Sequence, residues 1–258
     1  MINLKTNEWE IKNIDTVLFD KDGTLVDLHY FWGKMTEFRI DEILKKCNLD
    51  IKHHKELCSF LGFDTNCQKM LPDGITALYS RPKIIELLIE ELKKYNVKIT
   101  SQEVENIFDE VSENFYKNIE KYIKPIDEAI DFAKKLKEKG VKLGIVTADS
   151  IISTNKTLKF LNVSELFDIV IARESYPERK ETGKPTIYAL EQLNSNPEKT
   201  IMIGDTPIDC TSAKNAEIQK TILVATGQLT KKDLTEISKY SCDTLSEIEI
   251  SLQNVKLC

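Results

Sequence analysis

The sequence predicts an α/β protein, a doubly wound parallel sheet interrupted by one helical insert. Two observations lead there. Short apolar runs rich in β-branched residues recur at both ends of the chain, and helical patterns separate them. Strands alternating with helices build βα units and a parallel sheet covered on both faces. After the first of these strands the alternation stops for residues 28–124, which hold helical patterns and no convincing strand.

Residues 14–19 (IDTVLF) end abruptly at Asp20 and read as a buried parallel strand. The same character returns at 141–147 (VKLGIVT), 167–172 (FDIVIA), 200–203 (TIMI) and 220–224 (KTILV). Helices are expected over 126–139, with Gly140 as the stop, and over 151–161, 185–193 and 208–216. Within the insert, Leu28, Phe31, Trp32, Met35 and Phe38 form one apolar helical stripe, the signature of a packed helix face. Ser80-Arg81-Pro82 opens a second helix with proline in the first turn, where its missing N–H costs little. Thr100 and Glu103 are spaced as a capping box before 104–123. The expected organisation is therefore a core of 1–27 and 125–258 carrying an all-helical domain at 28–124.

Composition bounds the function. A chain of 258 residues with 41% hydrophobic and 30% charged residues can bury a core and keep a charged surface. A net charge of -6 argues against a nucleic-acid or anionic-membrane partner, which would require clustered Lys and Arg. The N-terminal MINLKTNEWEIKNID lacks an apolar signal core and no apolar run is long enough to span a bilayer, so the cytoplasm is the expected compartment. Cys47, Cys58, Cys67, Cys210, Cys242 and Cys258 are scattered, as expected of reduced thiols packed as small hydrophobes.

The chemistry concentrates at strand ends. Asp20-Lys21-Asp22-Gly23-Thr24 leaves the carboxyl end of the first core strand, where open α/β sheets bind ligands. Two carboxylates so spaced can share a pocket and hold a hard cation, one acting as nucleophile and the other exchanging a proton. A surface turn has the same composition, and the preceding buried strand weighs against it. Thr147 and the N–H groups after it, starting with Ala148, close the second strand and could hold a phosphate oxygen. Lys184, before a helix led by Pro185, could neutralise phosphate charge. Lys180 is its rival without the Gly-Lys-Pro context. Asp205 and Asp209, in GDTPID after the fourth strand, add carboxylates for a metal.

FDKDGTLVD, GIVTADS, GKPTIY and IMIGDTPID together resemble the four motifs of the haloacid dehalogenase-like superfamily, nearest its phosphoglycolate phosphatase-like branch. The resemblance implies a Rossmann-like core, a helical cap in the insert and a magnesium-dependent phosphatase acting on a small phosphorylated metabolite. It implies that Asp20 is the nucleophile and a metal ligand. Asp22 would be the general acid/base, ligating magnesium through its carbonyl; Asp205 would be the third ligand and Asp209 would orient metal-bound water. Thr147, Ala148 and Lys184 would bind the phosphoryl group. TADS departs from the commoner Thr-Asn pattern at the second motif.

Substrate choice is expected to lie in the insert. His29, Tyr30, Trp32 and Lys34 follow the Asp20 loop closely, and Arg39 and Arg81 are candidate anchors for a second anionic group. His53 and His54 sit in a polar stretch and read as surface residues. A phosphomutase is the nearest rival reading, and a non-catalytic protein keeping the fold is the rival from another class. Asp22 weighs against halide or phosphonate chemistry. Oligomeric state is open.

Overall fold

The computed structural model describes residues Met1–Gln253. The chain divides into two compact units, Met1–Asp27 with Pro125 onward, and Leu28–Lys124. The first unit begins with β1 (Ile2–Lys5), β2 (Glu10–Ile14) and β3 (Thr16–Phe19). The second holds α1 (Leu28–Lys46), α2 (His54–Phe60), β4 (Phe63–Asp64), β5 (Lys69–Met70), α3 (Ile75–Leu78), α4 (Arg81–Lys93) and α5 (Ser101–Lys117). The first unit resumes with α6 (Asp127–Glu138), β6 (Lys142–Val146), α7 (Ile151–Phe160), β7 (Ile169–Ile171), α8 (Lys184–Leu193) and β8 (Thr200–Gly204). It ends with α9 (Pro207–Asn215), β9 (Thr221–Val224), α10 (Lys231–Thr235), β10 (Ser241–Cys242) and β11 (Glu249–Leu252).

The core sheet is parallel throughout, in the order β10-β9-β8-β3-β6-β7. Strand β3 is central, and the chain continues from it first to β6 on one side and later to β8 on the other. The carboxyl end of β3 is thus a topological switch point, where the flanking connections diverge and leave a crevice. Side chains alternate along β3 as the pleat requires. Val17 and Phe19 join Ala129, Phe132 and Leu136 of α6 on one face, whereas Leu18 joins Ala189 and Leu190 of α8 and Ala213 of α9 on the other. Burial on both faces explains why this strand reads as one continuous apolar run. Fully burying a Val, Leu or Phe side chain contributes about 1.5–3 kcal/mol.

Four strands of this unit were not anticipated. Strands β1 and β2 pair antiparallel with each other, and β11 completes a separate three-stranded sheet. Only one face is buried, through Ile2, Leu4, Ile11 and Ile14, and interleaved Lys, Glu and Asn hide that pattern. Strand β10 is a two-residue edge.

The insert is not all-helical, because β4 and β5 form a short antiparallel hairpin. Two-residue strands are too short to show a period. The hairpin has a packing role: Phe63 is buried against α1 at Gly33, where an added Cβ would lie 2.4 Å from the Phe63 ring. Phe31, Met35, Phe108 and Phe115 are buried in the same unit, with the Phe31 and Phe115 rings edge-on at 5.1 Å. Thr100 and Glu103 form the expected capping box on α5. That helix stops at Lys117, short of the expected 123, and a 3-10 turn over Ile119–Lys121 follows.

Candidate active site

Asp20 is the first residue beyond β3, and its N–H still donates to the Ile203 carbonyl at 2.8 Å. The chain then turns tightly. The Lys21 carbonyl accepts the N–H groups of Thr24, Leu25 and Val26 at 2.8–3.3 Å, and Gly23 takes φ +82°, a conformation that favours glycine. Register pairs Phe19 with Ile145 of β6 and with Ile203 of β8. Thr147 and Asp205 therefore leave the sheet edge on either side of Asp20.

Three carboxylates meet at that edge. One oxygen each from Asp20, Asp205 and Asp209 lies within 4.8 Å of the others. Asp209 sits in the first turn of α9, where its Oδ2 accepts from the Thr206 N–H and hydroxyl at 3.0 and 2.9 Å in a capping box. Backbone approaches make room for two of these groups. A Cβ on Gly204 would fall 2.0 Å from Asp209 Cγ, and one on Gly227 would fall 1.8 Å from Asp205 Oδ2. Asp205 is 1% exposed, and among the described residues neither of its carboxylate oxygens has a hydrogen-bond partner. A buried carboxylate without a donor is costly. Together with the all-oxygen donor set, that makes the cluster fit a hard divalent cation.

A lysine completes the group, and it is Lys180. Its Nζ lies 2.7 Å from Asp20 Oδ1 and 2.6 Å from Asp209 Oδ1, and the side chain is buried. Lys184, the residue expected to bind the phosphoryl group, lies apart from this cluster: its Nζ pairs with Glu178 at 2.5 Å and the side chain is 54% exposed. The cause is the backbone. Lys180 starts a 3-10 turn, Lys180–Thr182, which the Asn215 side chain of α9 ties down through the Glu181 carbonyl at 2.8 Å. Gly183 then takes φ +77° and turns the chain, so Lys184 begins α8 facing solvent.

Asp22 is 17% exposed at its side chain and faces a second buried lysine, Lys21, at 2.5 Å. Lys21 also pairs with Asp149 at 3.0 Å. Thr147 is 4% exposed and its Oγ1 accepts the Asp149 N–H at 3.1 Å, whereas Ala148 is exposed. Sequence reasoning did not single out Lys21 or Gly227, and it ranked Lys180 second. The one available signal for Gly227 is its place just past the end of β9.

Electrostatics follow from crowding. Burial, then repulsion from Asp209 and Asp22, outweighs Lys180 and lifts Asp20 from an ordinary 3.8 to about 6. Burial together with Asp20 and Asp209 pushes Asp205 well above its usual range. Burial alone would lower Lys180 and Lys21, but their paired carboxylates raise both. In the metal-free protein the folded state thus binds more protons than the unfolded state from about pH 4 to 6 and above, and these groups destabilise it as pH rises through that window. A cation held by this cluster would supply at neutral pH what protons supply at low pH. Magnesium at about 100 times its Kd is expected to raise the melting temperature by about 5–10 °C at pH 7.5 and by clearly less at pH 5. Differential scanning fluorimetry against sodium at matched ionic strength checks this, and equal shifts at both pH values would contradict it.

Within the helical unit the candidate contacts are largely engaged. His29 Nδ1 accepts the Met70 N–H at 3.0 Å, the Tyr30 hydroxyl donates to the Lys121 carbonyl at 3.2 Å, and Lys34 pairs with Glu37 at 2.6 Å. Arg81 is met by Glu105 at 2.8 Å and Asp109 at 2.7 Å, so its charge is already balanced inside the unit. The Arg39 guanidinium lies 4.4 Å over the Phe108 ring. Met35 is fully buried, while Trp32 is partly exposed against Phe31. His53 stacks edge-on with Tyr95 at 4.6 Å and His54 lies 3.3 Å from Asp41, so both are partly buried and not free surface groups. A cavity of about 730 Å³ in this unit is bordered by Lys46, Asn48, Tyr95, Lys98 and Glu110, and no site residue lines it. No helix among the described residues is long and apolar enough to cross a membrane.

The family model of haloacid dehalogenase-like hydrolases matches residues 14–217. The chain belongs to that family. The match spans β3, the helical unit and α9, and so includes Asp20, Asp22, Asp149, Asp205 and Asp209. Among curated relatives, a phosphoglycolate phosphatase of Aquifex aeolicus is 28% identical over 203 residues, covering 78% of this chain and 80% of that protein. A pyrophosphatase PpaX of Halalkalibacterium halodurans is 26% identical over 211 residues, covering 81% and 83%. A solved structure described as a predicted phosphoglycolate phosphatase from Haemophilus somnus superposes with a TM-score of 0.69 at 16% identity, over 92% of this chain and 97% of that one. The β-phosphoglucomutase of Clostridium difficile gives 0.59 at 19% identity, over 91% and 92%. At such identity these two likenesses speak for the fold alone. The protein is a haloacid dehalogenase-like enzyme of the phosphatase type.

Proposed function

We propose that this family member is a magnesium-dependent phosphatase that hydrolyses a small phosphomonoester through an aspartyl-phosphate on Asp20. The observation that carries the reading is the cluster of Asp20, Asp205 and Asp209 around Lys180 at the end of the central strand. Three carboxylates against one ammonium leave two negative charges unbalanced when all are ionised, the complement of one divalent cation. Asp20, Asp205 and the Asp22 carbonyl would hold magnesium, with Asp209 beside them. Bound there, it supplies positive charge that offsets the repulsion between Asp20 and a phosphoryl group.

The chain's own groups do the rest. Asp20 attacks phosphorus in line. Asp22 gives a proton to the leaving oxygen and then, as a carboxylate, takes one from the water that hydrolyses the acyl phosphate. Lys180, held against Asp20, keeps the nucleophile directed and neutralises part of the phosphoryl charge. The Thr147 hydroxyl and the Ala148 N–H donate to phosphoryl oxygens. Residues 28–124 form the substrate-selecting cap. The proposed compartment is the cytoplasm, in keeping with free thiols at Cys47, Cys58, Cys67, Cys210 and Cys242. Cys258 lies outside the described residues.

The names of the curated relatives support phosphate release over a mutase. A screen of phosphorylated sugars, short phosphorylated acids, nucleotides and pyrophosphate tests the reading. Inorganic phosphate is expected with magnesium, lost on chelation and restored by magnesium. Indifference to chelator would contradict the metal role, and turnover only with a bisphosphate activator would favour the mutase.

A further inference from the structure

We propose that Lys21 and Asp149 form a buried clamp that fixes the Asp22 carboxylate, so that Oδ2 is the oxygen that hands over and takes back the proton. The inference rests on the proton-transfer role given to Asp22 above and adds two positioning residues to it.

Lys21 is 0% exposed. Its Nζ lies 2.5 Å from Asp22 Oδ1 and 3.0 Å from Asp149 Oδ2. Asp149 is itself 5% exposed and fastened on several sides. Its Oδ1 accepts the Ser150 N–H at 2.7 Å, its carbonyl accepts the Arg173 N–H at 2.9 Å, and its own N–H donates to Thr147 at 3.1 Å. Ser150 in turn caps α7. The Lys21 backbone is anchored by the turn closed on its carbonyl. The clamp therefore ties the loop leaving β3 to the loop leaving β6 through one ammonium.

A buried ion pair at best breaks even against apolar residues of the same volume. What it adds here is direction. An ammonium has three donors and no acceptor, so Asp22 Oδ1 can only accept from it. A proton on Asp22 must then ride on Oδ2. In the first step an Asp20 oxygen bonds to phosphorus and the ester P–O bond breaks. The electron pair stays on the leaving oxygen, which takes the Oδ2 proton. In the second, water attacks the phosphorus, its proton passes to Oδ2, and the bond from phosphorus to Asp20 breaks to release inorganic phosphate. A carboxylate free to rotate would spend part of its time with the proton misdirected.

The test separates esters by leaving group. p-Nitrophenolate departs without a proton, whereas an alkoxide needs one. The double variant Lys21→Met/Asp149→Asn removes the two buried charges together and leaves only Asp22, whose side chain is 17% exposed and can be met by water, so it is expected to melt within a few degrees of wild type. Because kcat/KM reports steps up to formation of the aspartyl-phosphate, the ratio of kcat/KM for p-nitrophenyl phosphate to that for the best alkyl phosphate is expected to rise about 30-fold or more, general acid catalysis being worth about 10²–10⁴. A folded variant with an unchanged ratio, whether both esters slow together or neither does, overturns the clamp. Should the double variant fail to fold, Asp149→Asn alone carries the same measurement, with a rise of about fivefold expected and a constant ratio overturning it. A wild-type enzyme that cleaves neither ester overturns the phosphatase reading and the clamp with it, which is distinguishable from a wild type that cleaves both.

Discussion

Replacing Asp20 by Asn is expected to lower phosphate release by about 10⁴-fold or more while the protein stays folded. Among the described residues the neighbouring carboxylates are poorly placed to take over as nucleophile: Asp209 spends Oδ2 on the α9 cap and Oδ1 on Lys180, and Asp205 is 1% exposed. Removing a nucleophile outright costs rate on that scale in enzymes whose residues act as a unit. The same change relieves strain. Asp20 is held near pKa 6 by burial and by repulsion from its neighbours, so a neutral amide removes one of the mutually repelling charges while Lys180 keeps Asp209. The metal-free variant is therefore expected to melt at or above the wild type at pH 7.5. Steady-state phosphate release and a melting curve on the same preparation check both halves. Activity within tenfold of wild type would remove the nucleophile assignment, and a large drop in melting temperature would show that Asp20 holds the fold.

Lys180→Met and Lys184→Met are expected to differ by two orders of magnitude or more in kcat/KM. Lys180 is the cation between Asp20 and Asp209. Without it the buried carboxylates lose the one close ammonium they have among the described residues, a change that costs about 3–5 kcal/mol when one partner of a buried pair is removed. Activity should fall about 10²–10³-fold, the scale for losing a group that stabilises developing charge. Magnesium should recover part of the stability and little of the activity. Lys184 pairs with Glu178 in solvent, where such contacts are worth little, so its variant should stay within about twofold of wild type. Parallel kinetics and melting curves settle the order, and the reverse ranking would return the role to Lys184.

Much of the architecture was legible because strands covered on both faces have no room for polar residues. TVLF and TIMI stand out in any reading, and so did the carboxylates just beyond the ends of those strands, Asp20 and Asp205. Strands β1 and β2 escaped because they bury one face only and carry Lys and Glu on the other. The lysine was harder. Gly183 drew attention to Lys184, yet the positive φ of that glycine is what turns Lys184 away, and the grip of α9 on the preceding turn is a tertiary fact with no local signature. Lys21 drew no attention between its two aspartates, because its pairing depends on Asp149, well over a hundred positions later.

The core closes its own seam where the insert departs and returns. Val26 bridges Pro125, and the Ile126 N–H donates to the Leu25 carbonyl at 2.9 Å. Because exit and re-entry are stitched together by the sheet-bearing unit itself, lengthening, trimming or exchanging what is looped out requires no shift of the strands that carry Asp20, Thr147 and Asp205. Were substrate choice to lie in that segment, as proposed, it could change while Asp20, Thr147 and Asp205 keep their places at the sheet edge.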